Sequence, residues 1–407
     1  MRSPLNPRRR SDSAFTLVEV MVSLALICLI MGMLLSTVNS TQQLWQKTSA
    51  KASQFQAARE GFEAMTRRLS QATLNTYYRP YDRNTANATA ELQFRRQSEL
   101  QFLSGPTFRI FNSPAISGLS DDPELSYPTH SVFFQAPLGY TEYLQGNERP
   151  FSMLDSMLTG CGYFIEYGED PGVPDFVRKA GVPPRKRFRL NELTVPAERL
   201  SIYVRKTEKP TPGDTIYPQV IDVGRKDYFG FVDVDGHAKE GFLRPYWMLE
   251  GLRRENTNGI EGFKYARPLA ENVVALIILP KLAPKDQTNV DNIGQMAPEY
   301  SYDSWRVLKI DAKEGLLNSA RDHILPPIVQ VTMVAIDEPS AQRLATGSKT
   351  PPNWTQGLFQ TVRARSDYQA DLDKLEKLLR DDPKHVNYRV FTSDIVLRAS
   401  KWSQTAK

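Results

Sequence analysis

Ala14-Phe15-Thr16-Leu17-Val18-Glu19 opens an apolar run that reaches Val38, and this stretch sets the class of the whole chain. Of the 24 residues from Phe15 to Val38, Glu19 alone is charged. A basic leader precedes the run, with Arg2, Arg8, Arg9 and Arg10. A helix needs about 20 apolar residues to span a hydrocarbon layer, so this run is of membrane length. A carboxylate there costs roughly 2.5–3.5 kcal/mol at the helix centre on insertion scales, and less near the interface. Something must compensate Glu19.

A secretory signal has an apolar region of about 7–15 residues and a small-residue cleavage site behind it. The present run is longer, and Ser36-Thr37-Val38 is a poor match to such a site. A plain signal anchor explains the length and the leader. It leaves Glu19 and the small-to-aromatic step at Ala14/Phe15 without a reason. The pattern resembles the type IV prepilin N-terminus, where a leader peptidase cuts before an aromatic or apolar residue and a glutamate follows four residues later.

With 407 residues the chain has room for one large or two ordinary domains beyond that helix. Cys28 lies inside the apolar run and Cys161 far away in polar sequence, so no bridge between them is expected. The formal net charge of +5 is largely local: the leader carries four Arg and one Asp, which leaves only about +2 on the remainder. No global basic field argues for a nucleic-acid partner. Positive residues ahead of the first apolar segment hold that end in the cytoplasm, so the bulk of the chain is expected across the membrane.

Beyond the membrane-length run, Leu44, Thr48, Ala52, Phe55, Phe62, Met65, Leu69 and Ala72 recur at helical spacings and mark one face. No proline interrupts Phe15 to Arg79, and Pro80 is the expected stop. A helix from Phe15 to about Tyr77 would be roughly 95 Å long. Glu91–Arg95 and Glu99–Leu103 then alternate polar and apolar residues as half-buried strands do, and Thr107 to Phe111 is expected to continue that meander. Further strands are predicted at Ser131–Gln135, Gly162–Tyr167, Arg187–Leu190, Leu200–Arg205, Val273–Leu279, Ile328–Ile336 and Tyr388–Leu397. Prolines such as Pro171, Pro183, Pro184, Pro210 and Pro212 punctuate long loops. A short helix is expected near Ser340–Ala345. Asp367 to Asp381 reads as an amphipathic helix with Leu372, Leu375, Leu378 and Leu379 on one side.

Motifs that carry chemistry are scarce. The chain has no G-x-x-x-x-G-K-[ST], G-x-S-x-G, H-E-x-x-H or C-x-x-C. His130, His237, His323 and His385 are scattered, and the pairs Asp121/Asp122 and Asp381/Asp382 read as solvated turns. Asp233-Val234-Asp235-Gly236 starts like an EF-hand loop, but the position six after the glycine is Phe242 where the loop needs Glu. Pro184-Arg185-Lys186-Arg187-Phe188-Arg189 is a basic cluster, expected to be a strand whose charges face solvent because it runs into Leu190 and Leu193. No cofactor, no metal site and no enzymatic activity is expected.

The C-terminal part extends the resemblance. Tyr302-Asp303-Ser304-Trp305, Leu325-Pro326-Pro327-Ile328-Val329-Gln330-Val331, Tyr388-Arg389-Val390-Phe391 and Ile395-Val396-Leu397-Arg398 resemble the J-type minor pseudopilins and their minor-pilin relatives. Longer blocks resemble the Verru_Chthon cassette protein C family, a prepilin-like group in Verrucomicrobia. They are Phe133-Phe134-Gln135-Ala136-Pro137-Leu138-Gly139-Tyr140, Cys161-Gly162-Tyr163-Phe164, Arg187-Phe188-Arg189-Leu190-Asn191-Glu192-Leu193, Glu271-Asn272-Val273-Val274-Ala275-Leu276-Ile277 and Met333-Val334-Ala335-Ile336-Asp337-Glu338.

The resemblance implies an α+β, pilin-like fold: a long N-terminal helix, transmembrane in its first half, packed on a mainly antiparallel β-sheet head with long loops. It implies a leader at 1–14, a transmembrane half at 15–38, an amphipathic half at 39–79 and a head at 80–407. A prepilin peptidase would cut between Ala14 and Phe15, where the family usually has Gly before the cut, and methylate the new amine. Glu19 would then serve assembly, its carboxylate neutralising the first amine of a neighbouring subunit at one register. The expected role is a minor pseudopilin or pilin-like subunit of a type II secretion-like or type IV pilus-like filament. Its partners would be the peptidase, other pilin-like subunits and the inner membrane, crossed once with the head periplasmic or extracellular. The alternative is a pilin-anchored adhesin or binding module that uses the loops from roughly Asp170 to Arg254.

Overall fold

The computed structural model describes residues 16–81, 93–111, 126–142, 154, 156–169, 176, 180, 186–200, 202, 246–252, 254–257, 260–281, 300–304, 323–345, 352, 354–360, 365–383 and 386–400. The chain divides into two compact units, Met1–Gln54 and Phe55–Lys407. Helix α1 (Leu17–Leu69) starts in the first. There, Leu17–Gln42 is long and apolar enough to cross a membrane, and none of it is buried in the protein. An apolar surface on every side of a helix demands an apolar surrounding, which a protein core or a bilayer supplies.

In the second unit the last turns of α1 behave differently. Ala58, Phe62, Met65 and Leu69 are buried along one stripe, while Arg59, Glu60 and Arg67 stay exposed. Phe55 is half-buried, and the side chains of Leu44, Thr48 and Ala52 lie outside the described residues. The helix ends at Leu69, short of the expected Tyr77. Arg67 and Arg68 occupy its last turn, where cations favour the carbonyl end. Tight bonds from Gln71 N–H to Arg68 O and from Ala72 N–H to Leu69 O close it. The Thr73 N–H then bonds Gln135 O at 3.0 Å, and the chain leaves as a strand. Pro80 lies within that strand rather than at a helix end.

The strands and helices that follow are β1 (Tyr77–Tyr81), β2 (Gln93–Gln97), β3 (Leu103–Pro106), α2 (Thr107–Phe111), β4 (His130–Pro137), β5 (Leu158–Glu169) and β6 (Lys186–Val195). Next come α3 (Tyr246–Gly251), β7 (Arg254–Thr257), β8 (Ile260–Phe263), β9 (Ala266–Glu271), β10 (Val273–Lys281), β11 (Tyr302–Asp303) and β12 (Ile328–Ile336). The last are α4 (Glu338–Ala345), α5 (Arg365–Arg380) and β13 (Tyr388–Val396). The main sheet runs β11-β3-β4-β5-β6-β9, with every neighbour antiparallel. A second antiparallel sheet runs β10-β12-β13, and β1–β2 and β7–β8 form separate ribbons. The fold is therefore α+β and pilin-like, an apolar N-terminal helix followed by a mostly antiparallel head.

Side-chain alternation gives the main sheet two packed faces. Phe134, Tyr163, Ile165 and Leu190 join the α1 stripe, the second sheet and α5 in the larger core. Phe133, Phe164, Leu193 and Val195 point the other way, onto α2 and α3. Gly160 admits α3: a Cβ there would come within 2.5 Å of the Trp247 ring. Asn272, at φ 61°, turns the chain from β9 into β10. An asparagine tolerates that left-handed geometry better than most residues.

Three further expectations change here. Thr107 to Phe111 is the helix α2, which buries Thr107, Ile110 and Phe111 at helical spacing. Residues 99–102 form a bend before β3, and the backbone N–H groups of Glu99 and Leu100 donate to the Asn75 side-chain Oδ1 at 3.1 and 3.3 Å. On α5, Tyr368, Leu372, Leu375 and Leu379 are buried but Leu378 is exposed, because it sits about 90° around the helix from the centre of that stripe. The expected strand at Leu200–Arg205 and the loops from Asp170 to Arg254 lie largely outside the described residues.

His130 joins the two sheets from within the core. Its Nδ1 accepts the Ile278 N–H at 3.0 Å and its Nε2 donates to Phe359 O at 2.7 Å. Burial lowers its pKa from 6.5 to about 4. The unfolded chain therefore takes up this proton at a higher pH than the folded one. The stabilisation is complete above pH 6.5 and is lost as pH falls toward 4, by on the order of 3 kcal/mol. Urea unfolding of the full chain in micelles should weaken across that window, and His130→Gln should flatten the loss. An unchanged pH dependence in the variant would refute this role.

Candidate processing and assembly site

The first turn of α1 is built around a threonine and a glutamate three residues apart. The Glu19 N–H approaches Thr16 Oγ1 at 3.4 Å. Glu19 Oε2 in return accepts the Thr16 backbone N–H at 3.2 Å and the Thr16 hydroxyl at 3.0 Å. This is a capping box, which satisfies donors that the first turn of a helix otherwise leaves open. The carboxylate also lies at the positive end of the helix dipole. Glu19 is thus partly compensated inside its own subunit. Thr16 is the partner that a reading by charge alone overlooks, and the Thr-x-x-Glu spacing is its signal. Ala14 and Phe15 lie outside the described residues.

Four hydroxyls along the apolar stretch are satisfied by the helix itself. Ser23 Oγ donates to Glu19 O at 2.8 Å, Thr37 Oγ1 to Met33 O at 2.9 Å, Ser40 Oγ to Ser36 O at 2.9 Å and Thr41 Oγ1 to Thr37 O at 2.8 Å. Hydroxyls bonded in this way cost little in a medium without water. Cys28 is exposed and Cys161 buried, and both are free thiols. Burial pushes the Cys161 thiol up to about 12, which makes it unreactive.

The polar residues of the head take structural positions. Arg187 and Arg189 of the basic cluster do not face solvent. Arg189 is only 2% exposed and is the register partner of Glu166, at 3.5 Å, with Asn191 Nδ2 donating to the same carboxylate at 2.9 Å. Arg187 bridges Glu271 at 2.7 Å and Glu338 at 2.6 Å, so it ties β6 to β9 and α4. Burial alone would raise the Glu338 pKa. Hydrogen bonds from Asn272 and Gln342 and the charge of Arg187 outweigh it and hold the carboxyl below its ordinary range. Asp382 is not a solvated turn residue, since it accepts the Trp354 indole N–H at 3.0 Å. Arg68 of α1 meets Glu192 at 2.5 Å, and Tyr163 donates to the same carboxylate at 2.6 Å. His237, His385, Asp121, Asp122 and the Asp233–Gly236 segment lie outside the described residues. Among the described residues, no group of three or more His, Cys, Asp and Glu is placed to hold a metal.

Residues 9–35 match the family model described as the prokaryotic N-terminal methylation motif. No curated protein and no solved structure matches the chain. The motif makes the N-terminus prepilin-like, of the type IV pilin or pseudopilin kind. It implies processing by a prepilin peptidase and assembly with other pilins, and it fits a chain held in the membrane by one helix.

The cap is open to direct measurement. Thr16→Ala should destabilise the first turn by about 1 kcal/mol, and Thr16→Ser should restore most of it. Amide hydrogen exchange at residues 17–20 of the full chain in micelles should be several-fold faster in Thr16→Ala. Equal rates in the two proteins would exclude the capping box.

Proposed function

We propose that this chain is a minor pseudopilin- or pilin-like structural subunit of a type II secretion-like or type IV pilus-like filament. The observation that carries the reading is the methylation motif at residues 9–35, set on a helix whose Leu17–Gln42 segment is of membrane length. A prepilin peptidase removes residues 1–14 and methylates the amine of Phe15. The helix then packs with other pilin-like helices, and Glu19 neutralises the first amine of a neighbour. In a low-dielectric setting that pairing selects one register, because every other register leaves a charge without its partner. The sequence blocks that resemble the Verru_Chthon cassette protein C family support a place in that group.

The remaining features agree with a structural role. Apolar residues 15–38 form the transmembrane half of the helix, residues 39–79 lead out of the membrane, and the chain from residue 80 onward forms most of the head, held periplasmic or extracellular. Among the described residues of the head, the buried Arg189 and Glu166 pair with each other, and the buried Asp337 and Asp303 accept hydrogen bonds from Asn387 and Gln101. A head of this size suits a filament tip or initiation complex better than a shaft, where identical subunits must lie close together. Counting copies per filament tests that placement, and a high copy number would overturn it.

Mass spectrometry of the native N-terminus is the decisive experiment. The mature chain should begin at N-methylated Phe15. An intact leader in cells with an active prepilin peptidase would refute the processing. Glu19→Val should be processed normally but enter filaments poorly. Glu19→Gln keeps the capping geometry and removes the charge, so it should assemble as poorly as Glu19→Val. Wild-type assembly of Glu19→Gln would assign the role of Glu19 to the cap.

A further inference from the structure

Trp45 follows the apolar stretch by three residues and is 73% exposed, the second-largest exposure among the large apolar side chains of α1. Its ring belongs to neither core cluster and its indole N–H needs a polar partner, a combination that favours the boundary between acyl chains and headgroups. The spacing agrees. From Glu19 to Trp45 the helix rises about 39 Å at 1.5 Å per residue. That approaches the roughly 40–45 Å of a bilayer with its headgroup regions, around a hydrocarbon core of about 30 Å. In this register the core spans about Val20 to Gln42. Ser40 and Thr41 then fall in its outer part, where their hydroxyls are already bonded to the helix carbonyls of Ser36 and Thr37. Glu19 and its cap fall at the opposite boundary.

We propose that Trp45 is the interfacial anchor of this helix, its ring seated among the lipid headgroups and upper acyl carbons of the leaflet at the C-terminal end of the apolar run. Together with Glu19 it sets the depth of the subunit before assembly. Lipid is the occupant because the exposed, membrane-length surface of the same helix, Leu17–Gln42, ends less than one turn before this ring. The inference rests on the reading of α1 as membrane-spanning.

The test reconstitutes the full chain alone in vesicles of phosphatidylcholine and phosphatidylglycerol. Bromines are placed either on the upper acyl carbons or near the chain ends. The fluorescence difference between wild type and Trp45→Phe isolates this ring from the other tryptophans. Upper-carbon bromines should abolish most of that difference, and chain-end bromines should leave it intact. Quenching by the chain-end bromines would overturn the proposal by placing the ring in the hydrocarbon. No quenching by either would overturn it by placing the ring in water or against protein. Retention of the chain after an alkaline carbonate wash is scored separately. Release by the wash means that the membrane-spanning reading itself has failed. A retained chain with an unquenched Trp45 means that only the anchor has.

Discussion

One helix has to satisfy two surroundings, and the rest of the protein follows from that constraint. Over Leu17–Gln42 no side is reserved for a protein core, whereas over the last turns Ala58, Phe62, Met65 and Leu69 form a single buried stripe. Burying Phe62, Met65 and Leu69 contributes about 1.5–3 kcal/mol each, enough to hold these turns in the head without help from helix propensity. The head answers with a sheet packed on both faces. One side takes the helix stripe and the second sheet, and the other takes α2 and α3. Arg68–Glu192 fixes the rotation of the last turn, because only one face of the helix brings that guanidinium to the carboxylate.

The charged residues of the head act as fasteners. Arg189 and Glu166 form a cross-strand pair that is almost wholly buried, with Asn191 on the same carboxylate. Such a pair adds little net stability over an apolar replacement of the same volume, but removing one member costs about 3–5 kcal/mol. Its effect is on register: sliding β5 against β6 by one residue would bury both charges without partners. Arg187 does the same between β6, β9 and α4. Arg187 and Arg189, expected from the sequence to face solvent, are therefore used up inside the fold.

How much of this was legible depended on how many residues carried each signal. β10 is apolar up to Lys281 and β12 is apolar but for Gln330 and Thr332, and their burial on both faces gives a pattern that little else produces. Helix α5 was legible for the same reason, since its period repeats four times. Thr107 to Phe111 is five residues long, too short for a period of two to be told from one of 3.6, and tertiary packing decided it. The helix end was misplaced because Pro80 is a strong local signal. The true stop is set at long range, where Gln135 takes the Thr73 N–H. The partners of Arg187 and Arg189 are likewise remote in sequence, so the cluster read as solvent-facing. At the N-terminus the motif was plain and the local geometry of Glu19 was not.

That geometry changes what Glu19 is asked to do. A bare carboxylate at the end of a membrane helix would be a liability seeking any cation. Here it already accepts two hydrogen bonds from Thr16 and sits on the positive end of the helix dipole. In the assembly proposed above, pairing with a neighbour's amine would be an exchange, in which the new ion pair replaces bonds that the subunit already has. An exchange gains less free energy than the rescue of an isolated charge, but it discriminates better. An amine at the correct height offers a full charge in exchange for two neutral donors, whereas a neighbour at the wrong height offers nothing and the cap stays closed. In that proposal the cap would keep a single subunit stable in the membrane and leave the carboxylate selective in what it opens for.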